Sequence, residues 1–225
     1  MPRQARSNHN EPKLNMKLFS KICLLCCLLI PPVCEGQEQL AGFVFANAIG
    51  VNAKADATAS GKKLTRKGLD PGMATSGLGL PVGGYQLQVT AQGCEPANTA
   101  LTIKAGTTPI IAAYLERRVD PRTNTTRNFI RLLPLTAQPQ ESQYLIQVVS
   151  VDPTTVFNAS ANGQTQPLQA FKPAAFASKT VKITDSTGAS EEAKVDEKGS
   201  YYCFVFRKAD GKPGTTLVLQ KIYQW

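Results

Sequence analysis

From Gln37 onward, apolar residues almost never recur at i, i+3, i+4 and i+7; they come in runs of four to eight residues set between Gly, Pro and Asn clusters. That punctuation excludes a helical bundle or a βαβ design and predicts an all-β fold. In Tyr85-Gln86-Leu87-Gln88-Val89 the alternation is clean, so Tyr85, Leu87 and Val89 are expected on one face and the glutamines on the other. The first set of expected strands is 42–48, 53–57, 62–65, 73–80, 85–92, 100–103 and 108–116. A second set follows at 144–151, 155–159, 165–168, 174–178, 178–185, 193–195, 200–208 and 215–223.

The two sets share a plan. Gly61 and Gly163, Leu69 and Phe171, Pro71 and Pro173, and Ser76 and Ser178 are each 102 residues apart, and Gly106 matches Gly199 at 93. The expected architecture is therefore two tandem antiparallel β-sandwich modules of immunoglobulin-like type, 37–116 and 144–225, joined by a basic linker at 117–143. Phe129 to Leu133 inside that linker is apolar enough to add an edge strand or to cover a module. Modules of about 75 to 80 residues bury only modest cores, so the two are expected to support one another.

Met16 to Gly36 has the layout of an export signal: Lys17 and Lys21, an apolar run from Ile22 to Ile30, then Pro31-Pro32 before Gly36. The run is too short to cross ~30 Å of hydrocarbon as a helix. Cleavage is expected after Gly36, with 1–15 a non-native extension upstream of a second methionine, and a periplasmic or secreted location follows. Five of the 25 Lys and Arg and two of the 16 Asp and Glu precede Gln37, which leaves the mature part at +6. Four of the six cysteines leave with the signal. Cys94 and Cys203 remain, in different modules, and an oxidising compartment would permit a bridge between them; a buried Cys203 and an exposed Cys94 is the other reading.

The mature part has no histidine, since His9 is the only one in the chain. Ser-His-Asp and Cys-His nucleophiles cannot be assembled, and the commonest catalytic zinc ligand is missing. Nucleophile-elbow, phosphate-loop and CxxC motifs are absent from it too. Paired carboxylates remain possible in principle, but Asp70, Asp120 and Asp152 each precede proline in turn-like settings. The acidic stretch Asp185, Glu191, Glu192, Asp196 and Glu197 lacks calcium-loop spacing and reads as a solvated hairpin. No catalytic residue, metal or cofactor is expected. The candidate binding residues are Arg117, Arg118, Arg122, Arg127 and Arg131 with Lys62 and Lys63, because arginine forks hold carboxylates bidentately and an acidic polysaccharide or acidic partner suits them. Nucleic acid is not expected, since no basic motif is interleaved with aromatics.

The opening Ala41-Gly42-Phe43-Val44-Phe45-Ala46-Asn47-Ala48, the turn before Lys62-Lys63-Leu64, the step Leu80-Pro81-Val82-Gly83-Gly84-Tyr85 and the strand Lys198-Gly199-Ser200-Tyr201-Tyr202-Cys203-Phe204-Val205-Phe206 resemble the alginate O-acetylation accessory family AlgF. This chain departs from that pattern in a longer linker and a stretched segment from Gly68 to Gly84. The resemblance implies a periplasmic protein without catalytic residues that works beside O-acetyltransferases modifying an exopolysaccharide. The alternative is a secreted carbohydrate-binding or structural envelope protein. A carbohydrate binder would expose aromatics in a row, for which Tyr114, Tyr144, Tyr223 and Trp225 are the spare rings.

Overall fold

Strand β1 (Leu40–Ala48) is apolar on both faces, and that fixes its place in the middle of a stack of sheets. Phe43 and Phe45 point into one core while Val44, Ala46 and Ala48 point into another. The computed structural model describes residues 39–223, which form sixteen strands and their connections, with no helix among them. The expected signal segment and Trp225 lie outside the described residues.

The inner sheet of the first module runs β4 (Leu78–Pro81), β1, β7 (Pro109–Val119), β8 (Thr126–Thr136). Its outer sheet runs β3 (Lys62–Lys63), β2 (Ala55–Ala59), β5 (Gly83–Ala91), β6 (Ala97–Ile103). In the second module the inner sheet is β12 (Pro173–Phe176), β9 (Tyr144–Ser150), β15 (Gly199–Arg207), β16 (Pro213–Leu219). The outer one is β11 (Gln164–Pro167), β10 (Phe157–Ala161), β13 (Thr180–Asp185), β14 (Ser190–Lys194). Advancing every label by eight turns the first topology into the second, so the duplication is present in the connectivity itself. Pairing is antiparallel apart from one parallel pair per module, β1 with β7 and β9 with β15.

Three cores separate the four layers. One lies within the first sandwich, around Phe43, Phe45, Leu87 and Ile130, and one within the second, around Phe157, Ile183 and Val205. The third joins the two inner sheets: Val44, Ala46, Ile110 and Ala112 of the first module meet Val149, Tyr202, Phe204 and Val218 of the second. Polar contacts stitch its rim. The Thr216 hydroxyl donates to the Asn47 carbonyl at 3.2 Å, and the Gln138 amide donates to Gln220 Oε1 at 3.0 Å. The approach is close enough that a β-carbon at Gly50 would run into the Arg207 carbonyl.

The hairpin glycines explain the strongest repeat signal. Ser60-Gly61 (φ 45° and 82°) joins β2 to β3, and Asn162-Gly163 (φ 51° and 79°) joins β10 to β11. Positive φ at both loop residues is the turn whose twist matches that of its flanking strands. Two of the other 102-residue matches fall at non-equivalent places in the strand order. Pro71 and Ser76 precede β4, whereas Pro173 opens β12 and Ser178 follows it, because residues 64–77 of the first module are replaced by the much shorter 168–172 in the second.

The segment 117–143 also differs from the expected linker. Residues 117–119 complete β7 and residues 126–136 form β8, the edge strand that closes the inner sheet, so the first module extends to Thr136 and only 137–143 connect the modules. Ile130 and Leu132 pack on the first core while Leu133 and Leu135 face the middle one, which is the strand pattern its arginines obscure. Pro134 is tolerated because an edge strand has a side with no ladder to donate to.

Candidate functional site: an arginine-bearing β-ribbon

β1 stops pairing with β7 at Ala48 and Tyr114, but β7 continues to Val119. From Leu115 onward it has only β8 beside it in the sheet, in the register Leu115 to Ile130 through Val119 to Thr126. The result is a two-stranded ribbon running beyond the end of β1. Its loop is tied by Asp120, whose amide donates to the Thr125 carbonyl and whose Oδ1 accepts the Arg122 amide at 2.8 Å. The equivalent hairpin of the second module closes sooner, at Arg207 and Pro213. All five candidate arginines lie on this ribbon or at its root, with Glu116 and Asp120 as its carboxylates.

The pleat sorts them. Arg118 faces Arg127 across the ribbon, Glu116 faces Phe129 and Tyr114 faces Arg131, so these six side chains share one face. The guanidinium carbons of Arg118, Arg127 and Arg131 sit 5.3, 5.4 and 5.6 Å from the centre of the half-buried Phe129 ring. At such distances cations are attracted to the ring face. Glu116 accepts from Arg118 Nε at 2.8 Å through one oxygen and from Arg131 Nε through the other. Those hydrogen bonds, Arg118 first, hold its carboxyl below the usual range. Glu95, at the turn between β5 and β6, takes Arg127 at 2.6 Å, and its backbone pairs with the outer edge of β8 beside Phe129. With the arginines about half exposed, solvent screens these pairs, so they orient the guanidinium groups more than they stabilise the fold.

Arg117 and Arg122 are different. Both are exposed and neither forms an ion pair among the described residues. Arg117 also lines a small cavity of about 240 Å³ at the ribbon root, between the modules, with Leu115, Asp152, Phe206 and Arg207. Burial pushes Asp152 up, yet hydrogen bonds from Thr154 and Thr155 outweigh it and leave that carboxyl below its ordinary value. The arrangement offers two free guanidinium groups and three tethered ones on a stiff arm, suited to a multivalent anion.

The remaining candidates go elsewhere. Lys62 and Lys63 form the short edge strand β3, with Lys63 paired to Asp56 at 3.0 Å. β3 is at the edge of the outer sheet opposite β6, whereas β8 lies on the β6 side through Glu95, so lysines and arginines do not form one site. Cys94 and Cys203 are both free. Cys203 is fully buried in the second module's core, where burial pushes its thiol up to about 12, while Cys94 packs against the first module's core. Membership of two cores separated by the middle layer accounts for the unformed bridge.

Of the expected aromatic row, the three described rings each have a different neighbour. Tyr114 packs on Phe171 at 5.2 Å, Tyr144 lies under the Lys179 ammonium, and Tyr223 covers Gly42 and Gly77. Phe171, with φ at 63°, brings the second module against the root of the ribbon, and sequence reasoning gave it no role beyond a repeat match.

The fold and this site define a class of protein: a duplicated, four-layer β-sandwich bearing an arginine-rich β-ribbon. No family model matches the chain, and neither does any curated protein.

Proposed function

We propose that this protein is a non-catalytic periplasmic accessory protein that docks O-acetyltransferase-type partners acting on an acidic, alginate-like exopolysaccharide, with the β7–β8 ribbon as its contact. The observation that carries the reading is the ribbon: five arginines gathered on one projecting hairpin, two of them without a carboxylate partner among the described residues. A mature part without histidine supports a role in which acyl chemistry belongs to partners. The resemblance of Ala41 to Ala48 and Lys198 to Phe206 to the AlgF family supports the choice of partner.

Immobilised protein exposed to periplasmic extract of the native host, with mass spectrometry as the readout, tests this. Recovery of an O-acetyltransferase by the wild type and its loss with Arg117→Ala plus Arg122→Ala is the expected result. Recovery undiminished in that variant removes the ribbon from the contact. Recovery of envelope glycan alone favours the carbohydrate-binding or structural alternative.

A further inference from the structure

A second basic site lies in the other module, away from the ribbon and unmarked by any sequence cluster. On the outer sheet, Ser160 of β10, Lys182 of β13 and Glu192 of β14 are direct cross-strand partners, and the row is open to solvent. It forms one wall of a shallow groove of about 800 Å³ that also takes in Lys179, Lys198, Asn162 and Tyr144. Three elements bring these side chains together. Lys179 leads into β13, where its carbonyl accepts the Val195 amide; Asn162 is the turn of the β10–β11 hairpin; and Lys198 precedes Gly199, the register partner of Tyr144.

The charges in this groove are unspent. Lys179, Lys182 and Lys198 are exposed, and none forms an ion pair among the described residues, even though Glu192 lies directly across from Lys182. The Lys179 ammonium sits 5.7 Å from the centre of the Tyr144 ring, which positions both. Walls of hydroxyl and amide groups and one ring at the end describe a surface for a hydroxyl-bearing ligand. Lysines are hydrated point charges on flexible stems, so they suit carboxylates repeated along a chain more than one fixed bidentate group.

We propose that this groove binds an acidic polysaccharide, with the three ammonium groups meeting successive carboxylates and Ser160 and Asn162 meeting ring hydroxyls. The inference deepens the accessory reading and rests on it for the presence of such a polymer; it gives the second module the polymer and leaves the ribbon to the protein partner.

Titration of the intact protein with a short alginate oligosaccharide, a neutral cello-oligosaccharide of similar length and polyglutamate, followed by calorimetry, tests it. Alginate binding should weaken about tenfold or more in Lys179→Ala, Lys182→Ala, Lys198→Ala, survive within about threefold when the same positions become Arg, and fall away near 0.5 M salt, where the screening length is roughly 4 Å. All three positions are exposed, so an unchanged melting temperature confirms that the variants fold. Alginate binding unaffected by the triple Ala variant overturns the proposal, and so does polyglutamate binding as tightly as alginate, which would make the groove an acidic-peptide site. If Arg117→Ala plus Arg122→Ala loses the acetyltransferase while the lysine variant keeps alginate, the groove is overturned and the adaptor reading stands. The converse, alginate lost with the lysines and no acetyltransferase captured by any form, supports the groove and sinks the adaptor.

Discussion

Phe204→Ala probes whether the two modules are one cooperative body. Phe204 is fully buried on β15, between the inner sheets, with Tyr202 stacked at a ring separation of 6.0 Å and Val44, Ala46 and Ala112 of the first module in the same cluster. A buried phenylalanine removes about 200 Å² from water, worth roughly 5 kcal/mol at about 25 cal/mol per Å². Truncation to alanine keeps the β-carbon but leaves a void, and the expected loss is about 3–5 kcal/mol. At a urea slope of about 2 kcal/mol/M, the midpoint should fall by roughly 2 M. Because the void opens into a shared core, the loss should be felt in both halves. Hydrogen exchange read by mass spectrometry should show the protection of β1 and β7 falling together with that of β9 and β15, although β1 and Phe204 lie more than 150 residues apart. If β1 and β7 keep wild-type protection while β15 loses it, the middle core does not couple the modules and this reasoning is wrong.

Other consequences can be checked as directly. Glu116 ionises at lower pH in the folded chain than in the unfolded one, so its contribution is present above the ordinary carboxylate value of about 4.3 and is lost as pH falls through its depressed folded value. Melting curves between about pH 3 and pH 6 should be flatter for Glu116→Gln than for the wild type, and equal slopes would show that the arginine contacts do not act on it. Cys94 should react with a thiol reagent in the native protein while Cys203 stays unmodified until denaturant is added, and equal rates would contradict the burial of Cys203. Gly61→Ala and Gly163→Ala should each cost about 1 kcal/mol, measured by urea melts, because both sit at positive φ with open space around them and the strain is purely in the backbone.

The parts of the fold that could be read from the chain are those where one face meets a core and the other meets water. β5 is an example, with Leu87 and Val89 buried and Gln86 and Gln88 exposed. The apolar stretch from Phe129 to Leu133 announced an edge strand, but not its length: Ile130 and Leu132 pack on the first core, while the opposite face of β8 changes from Arg127 and Arg131 on the ribbon to Leu133 and Leu135 at the middle core. The arginines were visible as a group because they are close in sequence, but their division into tethered and free members depends on Glu95, a residue from another hairpin. The lysine groove left no trace in the sequence, since Tyr144, Asn162, Lys182 and Lys198 come from separate elements and each is an ordinary surface residue taken alone.

The third core has a consequence for how such a chain came to be stable at all. A solitary first module would show water the whole apolar face of Val44, Ala46, Ala48, Ile110 and Ala112, and a solitary second module the face of Val149, Tyr202, Phe204 and Val218. As separate molecules they would meet only by collision, and dilution would part them. Tethered by residues 137–143, each half finds its mate at an effective concentration in the millimolar range whatever the abundance of the protein. Duplication here did the work of a dimer interface, and it left the two copies free to diverge on their outward surfaces while the inward ones stayed bound to each other.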